Sequence, residues 1–120
     1  MIVIFNGWRC ITSWGRYDNG GLALILIDED TSECIAKVSV NPEGKLKPTQ
    51  IAVKCWAENE GMLEAVVAAG IGTPAEPYTW IDCGYAIGAR LDLSPAALAE
   101  AEQQERAGAQ HQETESKGDR

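Results

Sequence analysis

A chain of 120 residues supports a single domain with one modest hydrophobic core. Its 18 acidic residues outnumber its 10 basic residues, which gives a formal charge of −8 at pH 7, and the basic residues are scattered singly. Binding to nucleic acid requires clustered Lys and Arg, so this composition predicts no direct DNA or RNA binding, whereas a negative body suits a basic partner surface or serves solubility alone.

The first 27 residues predict a meander of three strands. An apolar strand over residues 1–5 is followed by Asn6 and Gly7, the dipeptide best suited to a tight hairpin turn. Residues 8–17 then alternate as the second strand, with Trp8 and Trp14 on one side. Residues 22–27 have no polar side chain on either face, which predicts a strand in the middle of the sheet, covered on both sides.

Later strands are predicted by alternation between turn signals. Residues 34–40 and 51–55 each place apolar side chains on one face, and residues 41–50 between them form a turn and an irregular connector rich in Pro and Gly. Residues 72–79 indicate a loop, and the segment from Trp80 to Leu91 alternates as one long last strand that Gly84 and Gly88 allow to bend. The alternation places Tyr85 and Ile87 on the same side as Ile81 and Leu91.

Capping signals in the sequence predict both ends of the central helix. Asn59 is predicted as its N-cap, Glu60 lies in its first turn, and Gly70 ends it. Met62 and Val66 belong to an apolar stripe that must pack on a sheet, because so short a helix is marginal in water alone. The predicted fold is α+β, with a twisted antiparallel sheet of about five to six strands and one central helix on a face.

The C-terminal region is predicted to lie outside this domain, which covers residues 1–93. Ser94 as cap and Pro95 at the first helical position predict a C-terminal helix over residues 94–107. Residues 108–120 lack large apolar side chains, so they predict a disordered tail.

No catalytic, metal or cofactor motif is present in the sequence. The only histidine, His111, lies in the predicted tail, which removes the usual base of catalytic triads. The cysteines lack the close spacing of zinc sites, and no glycine-rich phosphate loop or EF-hand occurs. We therefore predict no cofactor and no enzymatic activity. An enzymatic alternative would use Cys10 or Cys34 as a nucleophile, without a basic partner nearby.

Cellular location is predicted from the cysteines and from hydropathy. Free cysteines within apolar runs, and an amino terminus without signal-peptide features, indicate a reducing, cytoplasmic setting. The longest apolar run, Leu22 to Ile27, is far shorter than the roughly 20 residues that span a bilayer, so no membrane insertion is expected.

Two acidic segments and one tryptophan are the candidate partner-binding features. Glu60 and Glu64 are one helical turn apart, and Trp56 points away from the core by its parity in the preceding strand. The alternatives are a solvated acidic loop and first-turn carboxylates that only stabilise the helix dipole. The candidate residues are Asp28, Glu29, Asp30, Glu33, Trp56, Glu58, Glu60 and Glu64.

Several segments together carry a resemblance to a known family. They are Asn6-Gly7, Tyr17-x-Asn19-Gly20, the run from Glu58 to Glu64, Ala69-Gly70-Ile71 and Gly84-Tyr85. Over about residues 2–91 the chain resembles an uncharacterised family of small acidic proteins from bacteriophages, prophages and conjugative elements. The resemblance carries over no catalytic residue. It implies a setting in which small acidic proteins inhibit host defence by blocking nucleic-acid-binding surfaces.

The leading hypothesis is therefore a non-enzymatic, cytoplasmic binding protein of a phage or mobile element in a bacterial host. Its acidic surface would engage a basic surface of a host nucleic-acid-binding defence complex, in an anti-CRISPR or anti-restriction role. The alternative is a structural or regulatory homodimeric accessory protein that self-associates through its sheet edge or Trp56.

Overall fold

The computed structural model describes residues 1–42 and 44–118, with side chains through residue 108. It confirms the α+β class, but its strands are more numerous than predicted and form two antiparallel sheets. The strands are β1 (Ile2–Phe5), β2 (Trp8–Arg16), β3 (Leu22–Asp28), β4 (Cys34–Lys37), β5 (Ser39–Val40), β6 (Gln50–Val53), β7 (Gly72–Pro74), β8 (Trp80–Asp82) and β9 (Ile87–Leu93). The helices are α1 (Met62–Ala68) and α2 (Pro95–Gly118), and a 3-10 turn covers Ala57–Asn59.

The first sheet has the order β1-β2-β3-β4, and the second has β5-β6-β9-β7 with β8 also beside β9. Val38 alone separates β4 from β5. Its N–H donates to the Leu24 carbonyl at 2.9 Å, and its own carbonyl accepts from the Lys54 N–H at 2.7 Å. The predicted strand over 34–40 is thus one bent chain segment that leaves the first sheet and enters the second. The prediction of a single sheet is wrong because of this bend.

The predicted last strand is also two strands. β8 and β9 form a hairpin in which Trp80 pairs with Ala89 and Asp82 with Ile87. Gly84 adopts φ +98° in the turn, and its N–H donates to Asp82 Oδ1 at 2.8 Å. The chain therefore reverses where one bent strand was predicted, and β7 occupies part of the predicted 72–79 loop.

Asn59 does not cap α1, contrary to the prediction. Gly61, with φ +88°, holds the N-cap position. The Asn59 side chain is 1% exposed, and its Nδ2 donates to the Lys37 carbonyl at 2.6 Å and to the Lys54 carbonyl at 3.1 Å. Asn59 therefore ties the end of β4 to the end of β6, where the chain passes between the two sheets.

The remainder of α1 follows the sequence pattern. Met62 and Val66 are fully buried, as predicted. The helix ends with the Ile71 N–H donating to the Val66 carbonyl at 3.0 Å, the contact expected of a cap at Gly70. The core joins α1, the first turns of α2 and the inner faces of both sheets. Its largest fully buried side chains include Leu24, Leu26, Ile51, Met62, Ile71 and Leu91.

Ser94 caps α2 as predicted. Its Oγ accepts from the Ala97 N–H at 3.1 Å and donates to the Gly70 carbonyl at 2.8 Å. The helix extends to Gly118, beyond the predicted end at residue 107. The prediction of a disordered tail over 108–120 falls almost entirely on residues whose side chains lie outside the described part, and it stays a prediction.

Polar contacts fix α2 against β2. Glu100 accepts hydrogen bonds from the Met1 amino group at 2.5 Å, from Trp14 Nε1 at 2.9 Å and from Thr12 Oγ1. Gln104 Oε1 accepts from the Trp14 N–H at 2.8 Å, and its Nε2 donates to the Thr12 carbonyl at 3.2 Å. The Gln104 amide thus forms the hydrogen bonds that a neighbouring strand would form with β2, beyond the first residue of β1. These bonds satisfy backbone groups at the exposed edge of the sheet.

β3 is an interior strand, as predicted, but its two faces differ. Leu22, Leu24 and Leu26 are buried in the core, whereas Ile25 and Ile27 on the opposite face are only half-buried. The expectation of cover on both sides is therefore wrong for the outer face within the described chain. Among the described helices, none is long and apolar enough to cross a membrane.

Candidate partner-binding site

The acidic loop between β3 and β4 is organised by Asp28. Its Oδ1 accepts from the N–H of Thr31 at 3.0 Å and of Asp30 at 2.7 Å. These backbone hydrogen bonds lower the pKa of the Asp28 carboxyl below its ordinary value. Asp28 is thus a structural residue of the turn, and its charge is directed into its own loop.

The other three carboxylates of the loop differ in their partners. Glu29 Oε2 accepts from Arg9 Nε at 2.6 Å, which compensates its charge in an exposed pair. Asp30 and Glu33 are exposed and take part in no ion pair among the described residues. The loop therefore presents two uncompensated carboxylates where four were predicted.

Trp56 lies against the β8–β9 hairpin and is half-buried. Its ring meets the Tyr85 ring edge to face, with centroids 5.8 Å apart and planes at 86°. The Trp56 ring also borders Gly88, where a Cβ would lie 3.6 Å from it, an ordinary contact distance. Trp56 is thus directed away from the main core, as predicted, but it rests on the second sheet instead of projecting freely.

Lys54 connects the indole to the acidic segment. Its Nζ lies 5.8 Å from the centroid of the Trp56 ring and donates to Glu58 Oε1. This hydrogen bond lowers the pKa of the Glu58 carboxyl. The Lys54 side chain is 22% exposed and that of Glu58 67% exposed. A cation is therefore held between an aromatic ring and a carboxylate at the surface.

Glu60 and Glu64 continue the acidic segment at the start of α1. Both are exposed, and neither forms an ion pair within the described chain. Burial raises the pKa of the Cys55 thiol, and the Glu64 charge raises it further. We call Lys54, Trp56, Glu58, Glu60, Glu64 and Tyr85 the Trp56 site.

The exposed aromatic side chains of the hairpin were missed by the sequence analysis. Tyr78 is 75% exposed, Trp80 63%, Tyr85 78% and Ile87 55%. Alternation along one long strand assigned Tyr85 and Ile87 to a buried face. Asp82 two residues before Gly84 is the signal that would have predicted the turn, because an Asp side chain there accepts from the backbone two residues on.

Burial lowers the nucleophilic character of Cys10 and Cys83. Burial raises the pKa of Cys10, which is fully buried, and of Cys83. All four thiols are free, and Cys34 is exposed. Within the described chain, no group of three His, Cys, Asp or Glu side chains is placed to hold a metal ion.

Comparisons of this chain with family models, curated proteins and solved structures found no match. The resemblance to a phage and mobile-element family therefore stays a prediction.

Proposed function

We propose that this protein is a non-enzymatic binding protein whose Trp56 site engages a basic surface of another protein. One observation carries the proposal: Lys54 already lies over the Trp56 ring and donates to Glu58. The site therefore has the geometry that an incoming Arg or Lys needs. Two neighbouring carboxylates, Glu60 and Glu64, remain uncompensated for further cations.

The energetics of such a contact depend on how far binding excludes water. A cation over an aromatic ring is worth about 0.5–1 kcal/mol when exposed and about 2 kcal/mol when desolvated. Tyr85, which meets Trp56 edge to face and is 78% exposed, supplies exposed apolar area, and Trp and Tyr dominate the energetics of protein interfaces. Apolar contact would give the affinity, and the carboxylates would select a basic partner and speed association.

The Asp30 and Glu33 carboxylates extend the proposal to a second contact. Both are exposed at the loop that joins β3 to β4. A partner whose basic surface is extended would reach both acidic segments, as surfaces that bind nucleic acid do. We assign Asp28 no contact with the partner, since its carboxylate belongs to the turn.

The specific form of the proposal is inhibition of a nucleic-acid-binding defence complex of a bacterial host, in an anti-CRISPR or anti-restriction role. Its support is the formal charge of −8 together with an aromatic and acidic site suited to cations. A protein with these properties competes with nucleic acid for the same Lys and Arg side chains. It would accordingly be displaced from its partner by excess DNA or RNA.

The test is affinity capture of the tagged protein from a bacterial lysate, with quantitative mass spectrometry. The variant Glu60→Lys/Glu64→Lys is compared with Asp18→Lys/Glu102→Lys, which changes the net charge equally at exposed positions elsewhere. We expect the first variant to lose the captured partner and the second to retain it, and we expect the partner to be a nucleic-acid-binding complex. Equal capture by both variants would contradict the proposal, as would capture of no partner by the native protein.

A further inference from the structure

The outer face of the first sheet carries an unusual concentration of isoleucine. Alternation along the strands places Val3, Cys10 and Leu26 in the core and their neighbours on the opposite, solvent-facing side. Five of the isoleucines of the chain lie there, which we call the isoleucine face: Ile2, Ile4, Ile11, Ile25 and Ile27.

The strand register joins these side chains into one continuous patch. Ile2 is opposite Ile11, and Ile11 is opposite Ile27, so one row crosses three strands. Ile4 on β1 and Ile25 on β3 flank this row. Ile4 is 56% exposed and Ile2 36% exposed, and the central isoleucines are half-buried, as neighbours that shield only one another would be. Singly exposed apolar residues are normal, but a contiguous apolar patch marks an interaction surface.

The charges around the face identify what can approach it. The protein has a formal charge of −8, yet no Asp or Glu occupies an outward position of β1 to β4. Arg9 and Lys37 are the charged residues on this side, and Arg9 is compensated by Glu29. The Glu29 carboxylate at the margin of the face is paired with Arg9, so two copies of this acidic chain can meet there without bringing uncompensated carboxylates of the strands together.

We infer that the isoleucine face binds the same face of a second copy, which makes the protein a homodimer. Sheets that pack face to face lie about 10 Å apart, with their inward side chains interdigitated, and an antiparallel sheet with one apolar outer face supplies that geometry. The contact is isologous, so it closes at two copies and does not continue into a filament.

The size of the face is sufficient for such a dimer. Four strands about 4.8 Å apart and four to nine residues long span roughly 400 Å² of flat area per copy. Side-chain relief makes the accessible area larger than this, which brings the pair to the total of about 1,000 Å² expected of a specific interface. The second copy also supplies the cover that a strand without polar residues on either face predicts for β3.

The test compares two isoleucines of equal exposure. Ile4, 56% exposed, lies on the face, and Ile87, 55% exposed, lies on the hairpin of the second sheet. Sedimentation of the full chain should show a native dimer, a weaker dimer in Ile4→Thr, and an unchanged dimer in Ile87→Thr. The double variant Ile11→Thr/Ile27→Thr should raise the dimer dissociation constant by about 100-fold or more, because it removes the centre of the interface.

The outcomes are separable from loss of folding and from the Trp56 site. Near-ultraviolet circular dichroism checks that each variant is folded. If the double variant does not fold, Ile4→Thr still tests the inference, because it changes only an exposed side chain. A native chain that sediments as a monomer at about 300 µM would overturn the inference, and so would a dimer weakened equally by Ile4→Thr and Ile87→Thr. The Trp56 site can fail or succeed independently, since it contains none of the five isoleucines.

Discussion

The outer faces of the two sheets differ in how they are covered. On the second sheet, Gln50 Nε2 donates to Asp92 Oδ1 at 2.7 Å and Gln50 Oε1 accepts from the Lys47 N–H at 3.1 Å. Arg90 donates to the carbonyls of Tyr78 at 2.9 Å and Lys45 at 3.2 Å. The chain's own connectors are thereby held over this face, and Ala52 beneath them is fully buried.

The first sheet has no such arrangement among the described residues. Its outer face presents isoleucine, which offers no hydrogen bond by which a connector could be held. Polar residues on a sheet face can recruit local loops, whereas an apolar face is covered only by another apolar surface. The second sheet is therefore covered within one chain, and the proposed dimer would supply the cover that the first sheet lacks.

The largest effect is expected at the junction on which the comparison depends. Asn59→Ala removes both side-chain hydrogen bonds between the ends of β4 and β6 and leaves the Lys37 and Lys54 carbonyls without them. The free energy of unfolding should fall by about 2–3 kcal/mol, measured by urea denaturation. Asn41→Ala, at an exposed asparagine, should change it by less than about 0.5 kcal/mol. Similar losses in both variants would show that Asn59 does not join the sheets.

The next effect distinguishes the two outer faces through their arginines. Arg90→Ala releases the connectors from the second sheet and should cost about 1–2 kcal/mol of unfolding free energy. Arg9→Ala on the first sheet removes only an exposed ion pair and should cost less than about 0.5 kcal/mol. Amide hydrogen exchange over residues 44–50 should accelerate in the first variant alone. Unchanged exchange there would contradict the role given to Arg90.

A pH dependence is expected on the inner side of the first sheet, at Glu100. Burial raises the pKa of Glu100, but hydrogen bonds from the Met1 amino group, Thr12 and Trp14 outweigh it and hold the pKa below its ordinary value of 4.5. The stabilisation is therefore complete above that value and is lost as the pH falls through the lower pKa of the folded state.

The measurement is the free energy of unfolding at a series of pH values from neutral to about 3. Glu100→Gln should flatten the acid limb, because the group no longer titrates. Glu102→Gln, at an exposed position two residues further along α2, should leave the acid limb unchanged. An acid limb unchanged by Glu100→Gln would contradict the assignment.

The smallest effect is expected at Lys54, in the Trp56 site. Lys54 occupies the place proposed for a partner's cation, so Lys54→Met should vacate the indole and Glu58 and raise partner capture by about 2–5-fold. Lys47→Met removes an exposed lysine elsewhere and is the matched control. Weaker capture after Lys54→Met would mean that Lys54 supports the site and does not stand in for the partner.

Local signals predicted much of this fold, and distant contacts decided the remainder. The Asn6-Gly7 turn, the Ser94 cap and the end of α1 at Gly70 depend on neighbours in sequence and were predictable. The bend at Val38 and the role of Asn59 depend on partners many residues away, so alternation gave one sheet where two exist. The apolar sequence of β3 predicted cover on both faces, whereas the described chain covers only the inner face.

The candidate site was predicted in outline by composition. The acidic segments and Trp56 stood out as residue types, but sequence spacing could not show that Lys54 lies on the indole or that Tyr85 packs against it. The Asp28 turn was readable in principle, since Asp followed by a polar loop is typical of side-chain capping.

The most direct measurement of the central claim is the dimer dissociation constant of the native chain at about 0.1 M and about 1 M NaCl, determined by sedimentation. Salt screens the repulsion between two copies of charge −8 and does not weaken apolar contact, so the account predicts a dimer that is equally strong or stronger at high salt. A monomer at both salt concentrations, or a dimer that dissociates as salt rises, would contradict association through the isoleucine face.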